Sequence, residues 1–347
     1  MLRTVYHNPG VTRAEIARRT GLTRVTISEL VAKLTDDALL GETGIAEQAR
    51  PGKKAFGLAV RDDTTDIVAL DLSGSQRIRG GVYSLSGHQR YSAEREIGGA
   101  TGADAVELIA GLVGDLIAAC RHRLLGVGVG TPGTVDPSGR VLISRSFGWH
   151  DLDLPGQLSA RTGTDVQVMN DANTAVLAEQ MFAGGPATLL RVQIALGVGA
   201  GLLIDGQVMI GQSAAAGEIG HLVVQHNGAP CLCGKHGCLE TWASTPALAR
   251  RIQAEPARRD EILAEGGRRL GMALVPVLAM LDIDDVVLGG EGDLVTGPFA
   301  QAAEQLINER LRSEFRDAVT LRSSVLGADA TLLGAVALVL RTSLGLC

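Results

Sequence analysis

Aromatic side chains are scarce in this chain of 347 residues: Phe, Trp and Tyr make up only 3% of it, although 46% of its residues are hydrophobic. The core must therefore be built mainly from Ala, Val, Leu and Ile. We find no apolar run of transmembrane length, and the opening segment MLRTVYHNPG lacks the apolar stretch of a signal peptide. These absences argue against a membrane or secreted protein and predict a cytoplasmic one.

Cysteine is rare as well, with five residues in the chain, yet three of the five lie close together. They form the pattern Cys231-x-Cys233-x4-Cys238, and His221 precedes Cys231 by nine intervening residues. Thiolates and an imidazole at close spacing are the ligands of a tetrahedral zinc ion, and four protein ligands make such a site structural. The pattern predicts one zinc ion per chain, bound by these four residues.

Two alternatives to this site remain open from the residues alone. His226 and His236 are rival fourth ligands because they lie in the same segment. Buried or disulfide-bonded cysteines are the other interpretation, which is disfavoured because clustered thiols in a cytosolic chain more often bind metal. Gly234 and Gly237 lie between the ligands, where a tight turn around an ion favours residues that adopt positive φ.

Charge is unevenly distributed along the chain. The net charge is −6, but residues 1–61 hold ten Lys and Arg against six Asp and Glu, whereas the remainder holds 22 against 32. Because the N-terminal segment is basic and the rest of the chain is acidic, we expect any nucleic-acid binding at the N-terminal segment.

The N-terminal segment has the pattern of a winged helix-turn-helix. Thr12 and Glu15 have the spacing of a capping box at the start of a helix. Gly21 supplies the turn with Leu22 packed beneath it, and Thr23 caps a third helix whose apolar residues repeat at helical spacing. A small helical domain used for protein contacts is the alternative interpretation.

The third helix and a basic wing are the expected DNA contacts. Strands at residues 39–40 and 56–58 would flank a basic wing tip at residues 50–54. Hydroxyls and cations on the exposed face of the helix suit base edges and phosphates. Two such heads read a palindromic operator, so we expect a homodimer or a dimer of dimers. The predicted DNA-binding residues are Thr23, Arg24, Thr26, Ser28, Lys33, Lys53 and Lys54.

Beyond the basic segment the pattern changes to strands and helices. A strand at residues 67–71, a glycine turn at 73–75 and a returning strand at 79–83 predict a hairpin. Further along, a strand ending at Asn170 and Asp171 opens a helix. Asn and Asp are favoured at helix N-termini, where they face the positive end of the helix dipole, so capping is one interpretation of this pair.

Residues 217–221 (GEIGH) and 231–240 (CLCGKHGCLE) resemble the signature of the ROK family, which joins sugar-responsive repressors and sugar kinases on one fold. The likeness extends along essentially the whole chain. It implies an α/β, actin-like (ribonuclease H-like) domain of two lobes behind the N-terminal winged helix-turn-helix. The implied domains are residues 1–61, a first lobe at 62–184 on which residues 330–347 pack back, and a second lobe at 185–329 with the zinc site.

The same resemblance implies a sugar site beside the zinc. In the family, the histidine binds zinc through one ring nitrogen and faces sugar with the other, and acidic and amide side chains bind the sugar hydroxyls. Residues 146–149 (SFGW) resemble a tryptophan-bearing loop over that site. Asn173 would then cap the helix. The residues implied to bind sugar are Asn170, Asp171, Glu218, His221 and Glu240.

A regulator and a kinase are the two main functions that the resemblance allows. In the family's kinases the position of Asp171 is the general base that takes a proton from a sugar hydroxyl. Those kinases carry two glycines and a threonine in the first hairpin, whereas Ser73 and Ser75 stand here, and a side chain at Ser73 would crowd a phosphate. We therefore predict a non-catalytic, sugar-responsive repressor that binds operator DNA. The alternatives are an ATP-dependent sugar kinase with a DNA-binding head and, disfavoured, a ligand-free zinc scaffold.

Overall fold

The computed structural model describes residues 1–45, 55–74 and 76–346. Lys53 and Lys54, which are predicted to contact DNA, lie outside these residues, and so does Ser75 of the first hairpin. The described residues form a small N-terminal domain and two larger α/β lobes.

The N-terminal domain is a helix-turn-helix followed by a wing. Its elements are α1 (Leu2–His7), β1 (Val11–Thr12), α2 (Arg13–Thr20), α3 (Arg24–Asp36), β2 (Leu40–Ile45) and β3 (Phe56–Val60). Strands β1 and β2 both pair antiparallel with β3, which joins the wing to the helices. The predicted winged helix-turn-helix is confirmed.

Local sequence explains the helix boundaries in this domain. The Thr12 hydroxyl accepts a hydrogen bond from the Glu15 backbone N–H at 3.3 Å, and Glu15 Oε2 accepts one from the Thr12 N–H at 3.1 Å, which is the predicted capping box. Helix α2 ends at Gly21, whose φ of 71° is left-handed. The prediction for Leu22 is wrong, since its side chain is 39% exposed. The interior beneath the turn is filled by other apolar side chains, such as Ile27.

The first lobe is built on a five-stranded mixed sheet. Its elements are β4 (Thr65–Asp71), β5 (Arg77–Tyr83), β6 (Gln89–Glu96), α4 (Gly102–Ala119), β7 (Arg123–Thr131), β8 (Thr134–Val135), β9 (Val141–Ser144), β10 (Trp149–Leu152), α5 (Leu154–Thr162), β11 (Val166–Asn170) and α6 (Asp171–Phe182). The order in the sheet is β11-β7-β4-β5-β6, with β4 antiparallel to β5 and parallel to β7. A smaller antiparallel sheet, β10-β9-β8, lies at its side.

The second lobe repeats this topology. Its elements are β12 (Leu189–Ile194), β13 (Val198–Ile204), β14 (Gln207–Val208), α7 (Glu240–Ala243), α8 (Thr245–Ala254), α9 (Arg259–Leu281), β15 (Asp285–Gly290), α10 (Gly292–Val295), α11 (Pro298–Leu311) and β16 (Thr320–Ser323). Helix α12 (Ala330–Leu344) follows them in sequence. The sheet order is β14-β13-β12-β15-β16, with β12 antiparallel to β13 and parallel to β15. A three-stranded meander extended by two parallel strands therefore occurs twice, as the predicted actin-like fold requires.

Helices α6 and α12 pack against each other between the two sheets. Gly334 allows this approach, because a Cβ at that position would lie 1.9 Å from the Thr174 carbonyl oxygen. Helix α12 also packs on β4 and β7, whereas α6 packs on β12 and β13. A buried ion pair of 3.2 Å between Glu179 Oε1 and Arg191 Nε fixes α6 to β12. The helix pair thus connects the two lobes.

The expectation that no apolar run reaches transmembrane length needs a correction. Residues 327–344 are long and apolar enough to cross a membrane, although half of that window is buried inside the protein. Val336, Val339 and Leu340 of α12 belong to an apolar cluster with the first sheet. Burial on several sides explains why this helix lacks a polar face.

The N-terminal domain packs on the same helix. Leu39 is buried in the apolar cluster that contains Leu340 and Leu346, and Tyr6 and Leu34 pack against that cluster. The Tyr6 hydroxyl donates a hydrogen bond of 2.8 Å to the Leu85 carbonyl oxygen of the first lobe. The N-terminal domain is therefore held against the C-terminal part of α12.

Candidate functional site

The predicted metal ligands lie together in the structure. One donor atom from each of His221, Cys231, Cys233 and Cys238 falls within 4.8 Å of the other three. The Cys231 Sγ lies 3.6 Å from His221 Nδ1, and Cys233 Sγ lies 3.6 Å from Cys238 Sγ. In the described chain the cysteines of this cluster are free thiols. Three sulfurs and one imidazole nitrogen can hold a metal ion, and this donor set fits tetrahedral zinc.

The path of the chain brings one of the three candidate histidines to the cysteines. His221 follows Ile219 in a short 3₁₀ helix that places its ring against Cys231. Of the described residues, only His221 supplies an imidazole to the cluster, so the alternatives His226 and His236 are not supported.

Two glycines allow the metal-binding loop to turn. Gly234 and Gly237 have φ values of 90° and 73°, which matches the prediction of positive φ between the ligands. A Cβ at Gly237 would lie 1.8 Å from the Gln225 carbonyl oxygen. The Cys231 N–H donates a hydrogen bond of 2.8 Å to the Lys235 carbonyl, which closes the loop between the cysteines.

Two glutamates border the metal cluster. Glu218 Oε2 lies 3.9 Å from His221 Nε2, so the histidine presents one ring nitrogen to the cysteines and the other to this carboxylate. Glu240 Oε2 accepts a hydrogen bond of 3.3 Å from the Val198 N–H, and its other oxygen lies 3.9 Å from Cys231 Sγ. Burial raises the pKa of Glu218 and the Glu240 carboxylate adds to this, while His221 and Arg145 oppose it.

Asn170 has a structural role at the start of α6. Its Oδ1 accepts a hydrogen bond of 3.1 Å from the Asn173 N–H, so Asn170 is the N-cap, and the expectation that Asn173 caps this helix is wrong. Its Nδ2 donates to the Gly133 carbonyl at 2.9 Å and to Asp171 Oδ1 at 3.0 Å. Asn173 is buried instead, and its Oδ1 has no partner among the described residues.

Asp171 is the carboxylate most affected by its surroundings. Burial raises its pKa to about 7, and the charges of Asp71 and Glu218 add to the effect, against a hydrogen bond of 2.9 Å from the Ala172 N–H. Such a group is partly protonated at neutral pH. It can therefore either donate or accept a hydrogen bond, and its pKa is also suited to a general base.

The first hairpin is closed by an arginine that the sequence analysis did not single out. Asp71 Oδ2 accepts a hydrogen bond of 3.0 Å from Arg79, while its Oδ1 accepts from the backbone N–H and hydroxyl of Ser73 at 2.9 and 2.6 Å. Arg79 also bonds to Asp329 Oδ1 at 3.0 Å and to the carbonyl oxygen of Ala328. Arg79 stands directly opposite Asp71 in the β4–β5 register, a relation that only the strand pairing reveals.

This ion pair borders a cavity of about 600 Å³ between the lobes. The first hairpin lines one side of the cavity, with Ser73 and Arg79, and residues from β12 and β15, including Ile194 and Gly290, line the other. The cavity stands where the resemblance places the phosphates of a kinase's nucleotide. Asp71, which borders it, already has its carboxylate oxygens bonded to groups of the chain itself.

The loop at residues 146–149 is anchored in the first lobe by its tryptophan. Trp149 is buried in the core of that lobe, where it stacks on Phe147 with ring centroids 4.4 Å apart and donates a hydrogen bond of 2.9 Å to the Gly102 carbonyl. The neighbouring Arg145 donates a hydrogen bond to the carbonyl oxygen of Leu232 in the metal-binding loop.

The predicted DNA-binding residues of α3 divide into two groups. The Thr23 hydroxyl accepts from the Thr26 N–H at 3.2 Å and shares a second bond of 2.9 Å with the Thr26 hydroxyl. The Ser28 hydroxyl donates to the Arg24 carbonyl at 2.9 Å. These three hydroxyls thus serve the helix itself. The side chains of Arg24 and Lys33 are exposed.

Comparison with known proteins decides the family. Residues 67–342 match the ROK family, and residues 1–50 match the MarR family. The chain belongs to the ROK family. Its N-terminal domain is a MarR-type winged helix.

Individual ROK relatives include both regulators and kinases. The chain is 26% identical to the putative xylose repressor of Caldicellulosiruptor sp. strain Rt8B.4, over 98% of this chain and 94% of that protein. It is 31% identical to the glucokinase of Halalkalibacterium halodurans, over 62% of this chain and 76% of that protein. A ROK family transcriptional regulator, described as a homologue of the E. coli Mlc protein, has the same fold, with a TM-score of 0.85, 23% identity and coverage of 97% and 93%.

Proposed function

We propose that this ROK protein is a sugar-responsive transcriptional repressor of carbohydrate metabolism. The observation that carries the proposal is the joining, in one chain, of a MarR-type DNA-binding domain to a lobe in which Glu218, His221 and Glu240 converge beside a Cys/His cluster. The relatives of full length support this function, because the match to the xylose repressor includes the DNA-binding head. The glucokinase match covers a smaller part of the chain.

The effector is a sugar or sugar derivative bound between the lobes. Asn170, Asp171, Glu218, His221 and Glu240 are its ligands in this proposal. Carboxylates, an amide and an imidazole nitrogen supply the acceptors and donors that a polyhydroxylated ligand needs. A site of this kind discriminates strongly against analogues that lack a hydroxyl, because its own polar groups then stay unpaired.

The metal is structural zinc, one ion per chain, held by His221, Cys231, Cys233 and Cys238. Four protein ligands leave no open coordination position for a reacting molecule. The ion would fix the ring of His221 so that Nε2 faces Glu218 and the ligand. Zinc therefore shapes the sugar site without taking part in chemistry.

The protein does not phosphorylate its sugar in this proposal. Phosphoryl transfer depends on positioned magnesium and phosphates, and the hard oxygen ligands that magnesium requires are not free at Asp71, whose oxygens are bonded to Arg79 and Ser73. The competing function, an ATP-dependent sugar kinase with a DNA-binding head, is favoured by one observation, the pKa of about 7 at Asp171. Measurement of ATP turnover with each bound sugar separates the two functions.

DNA binding belongs to residues 1–61, with lobes at 62–184 and 185–329 and residues 330–347 packed on the first lobe. In this proposal the DNA contacts Thr23, which caps α3, and Arg24, Thr26, Ser28 and Lys33 within the helix. Lys53 and Lys54 contact the DNA backbone or the minor groove. Two heads in a homodimer or a dimer of dimers read the palindrome. The protein acts in the cytoplasm, where operator DNA and sugar are both accessible.

A sugar panel tests the proposal most directly. Binding to the folded state alone stabilises it by about 2.7 kcal/mol when the sugar is at a hundredfold excess over Kd, so a cognate sugar raises Tm. The same sugar should change operator affinity in the intact protein. Glu218→Ala should abolish both effects and leave operator binding in the absence of sugar unchanged. Glu314→Ala, at an exposed glutamate, is the matched control. Sugar-dependent ATP hydrolysis at about 1–100 per second, typical of kinases, would contradict the proposal.

A further inference from the structure

In the N-terminal half of the recognition helix α3, the residues that point outward are not the ones predicted from the sequence to contact DNA. Ile27 and Val31 are fully buried and mark the inner side of the helix. Because a helix turns by about 100° per residue, the opposite side carries Val25 and Glu29, followed by Lys33 and position 36 toward the C-terminus. Thr26 and Ser28 lie on the flanks, and Arg24 lies nearer the buried side. The N-terminal half of the outer ridge therefore presents one apolar and one acidic side chain.

Val25 is unusual for an exposed position. It is 68% exposed, although Val5, Val11 and Val31 of the same domain are buried. An apolar side chain on the outer ridge is not stabilised by exposure to water, but in the major groove it can pack on the C5-methyl group of thymine. The N-terminal residues of a recognition helix are those that reach base edges.

Glu29 lies one helical turn after Val25 and is exposed as well. Its carboxylate has no hydrogen bond or ion pair within the described part of the chain. A negative charge facing the phosphates weakens binding to DNA in general. It becomes favourable only where a base offers a hydrogen-bond donor, and the exocyclic N4 amine of cytosine is the donor that Glu and Asp accept from in the major groove.

We propose that Val25 and Glu29 are the specificity-determining residues of this protein, Val25 packing on a thymine methyl group and Glu29 accepting a hydrogen bond from a neighbouring cytosine. The exposed Arg24 and Lys33 then bind phosphates and set the position of the helix. This inference rests on the proposed DNA-binding function. It assigns one T·A pair and one adjacent C·G pair to each half-site.

The test begins with selection of binding sites from random DNA by the intact protein. Each thymine of the selected operator is then replaced singly by deoxyuridine, which removes only the methyl group. At one thymine per half-site the wild-type protein should lose about fourfold in affinity, the effect of one buried methyl group. The Val25→Ala variant should lose less than twofold at that same position. Val325→Ala, at a valine that is 79% exposed on the second lobe, should behave as the wild type.

Glu29 is tested by repeating the selection with Glu29→Gln. Glutamine pairs with adenine in the major groove, so the preferred base at the neighbouring position should change from cytosine to adenine. Both exposed substitutions should leave Tm unchanged, which excludes misfolding. Failure to select any sequence overturns both the repressor function and this inference. A selected operator with equal deoxyuridine penalties in wild type and Val25→Ala, or with unchanged preference in Glu29→Gln, overturns the inference alone.

Discussion

Replacing Asp171 by asparagine should stabilise the protein, and more so as the pH rises. Burial and the nearby charges of Asp71 and Glu218 raise the pKa of Asp171 from 3.8 to about 7 in the folded protein. Below pH 3.8 the group is protonated in both states and contributes no penalty. Between pH 4 and 7 only the folded state keeps the proton, so the wild type loses stability as the pH rises. At roughly 1.4 kcal/mol per pH unit, the full penalty is about 4 kcal/mol above pH 7.

Urea unfolding of the wild type and Asp171→Asn, without sugar and with equal metal content, measures this penalty. Asparagine keeps an Oδ1 acceptor for the Ala172 N–H and carries no charge. The variant should exceed the wild type by about 2 kcal/mol at pH 5 and about 4 kcal/mol at pH 8. Effects of other titrating groups cancel because both proteins contain them.

Asp136→Asn is the matched control for this series. Hydrogen bonds from Ser138 and Arg140 lower the pKa of Asp136, with the Ser138 hydroxyl as the largest cause. Its carboxylate is therefore ionised in both states from pH 5 to pH 8, and the stability difference of this variant should be constant over that range. An equally constant difference for Asp171→Asn would refute the account of its environment.

Three further predictions concern the metal, the hairpin and the DNA. Cys233→Ser should remove about one equivalent of zinc by elemental analysis, whereas Cys120→Ser should retain it; full zinc in the first variant would contradict the ligand set. Arg79→Leu should lower the free energy of unfolding in urea by about 3–5 kcal/mol, because it leaves the buried Asp71 carboxylate without its partner. The control Arg77→Leu removes only exposed ion pairs and should lower it by less than about 1 kcal/mol. Equal losses in the two variants would refute this prediction. Arg24→Ala should reduce the salt slope of operator binding by about one, and an unchanged slope would remove Arg24 from the phosphate contacts.

Features set by neighbouring residues were predictable from the sequence. The capping box of Thr12 and Glu15 depends on a spacing of three residues, and the structure contains both of its hydrogen bonds. The metal cluster lies within residues 221–238, so its cysteines and its glycine turns could be read from their spacing. The same local reasoning left three histidines as candidates for the fourth ligand, because the direction of each ring depends on the path of the chain.

Features set by distant residues were not predictable. The pairing of Asp71 with Arg79 requires the register of two strands, and the contacts of Arg79 with residues 328–329 join parts of the chain about 250 positions apart. The raised pKa of Asp171 likewise needs burial and charges that other elements supply. Leu22 shows the converse error. It was placed by its neighbours in sequence, whereas the competition for interior space among the apolar side chains of the domain decided its position.

The start of α6, where the proposed sugar ligands Asn170 and Asp171 lie, is linked to the DNA-binding head by continuous packing. Asn170 and Asp171 stand at the N-terminus of α6, which the Glu179–Arg191 ion pair ties to the second sheet. Helix α6 packs so closely on α12, at Gly334, that a shift of one helix displaces the other.

Helix α12 in turn carries Leu340, which is packed with Leu39 of the DNA-binding domain. A ligand that binds Asp171 of the first lobe and Glu218 of the second lobe acts on the end of this connection that is remote from the DNA-binding domain. It can therefore change the orientation of the DNA-binding heads, provided that it binds two interlobe arrangements with different affinities. No phosphoryl transfer is needed for that response. The Asp71–Arg79 ion pair occupies a carboxylate that a kinase would need for its catalytic metal, whereas a sensor does not need that metal. Arg79 also adds a contact between the first sheet and the segment that leads into α12.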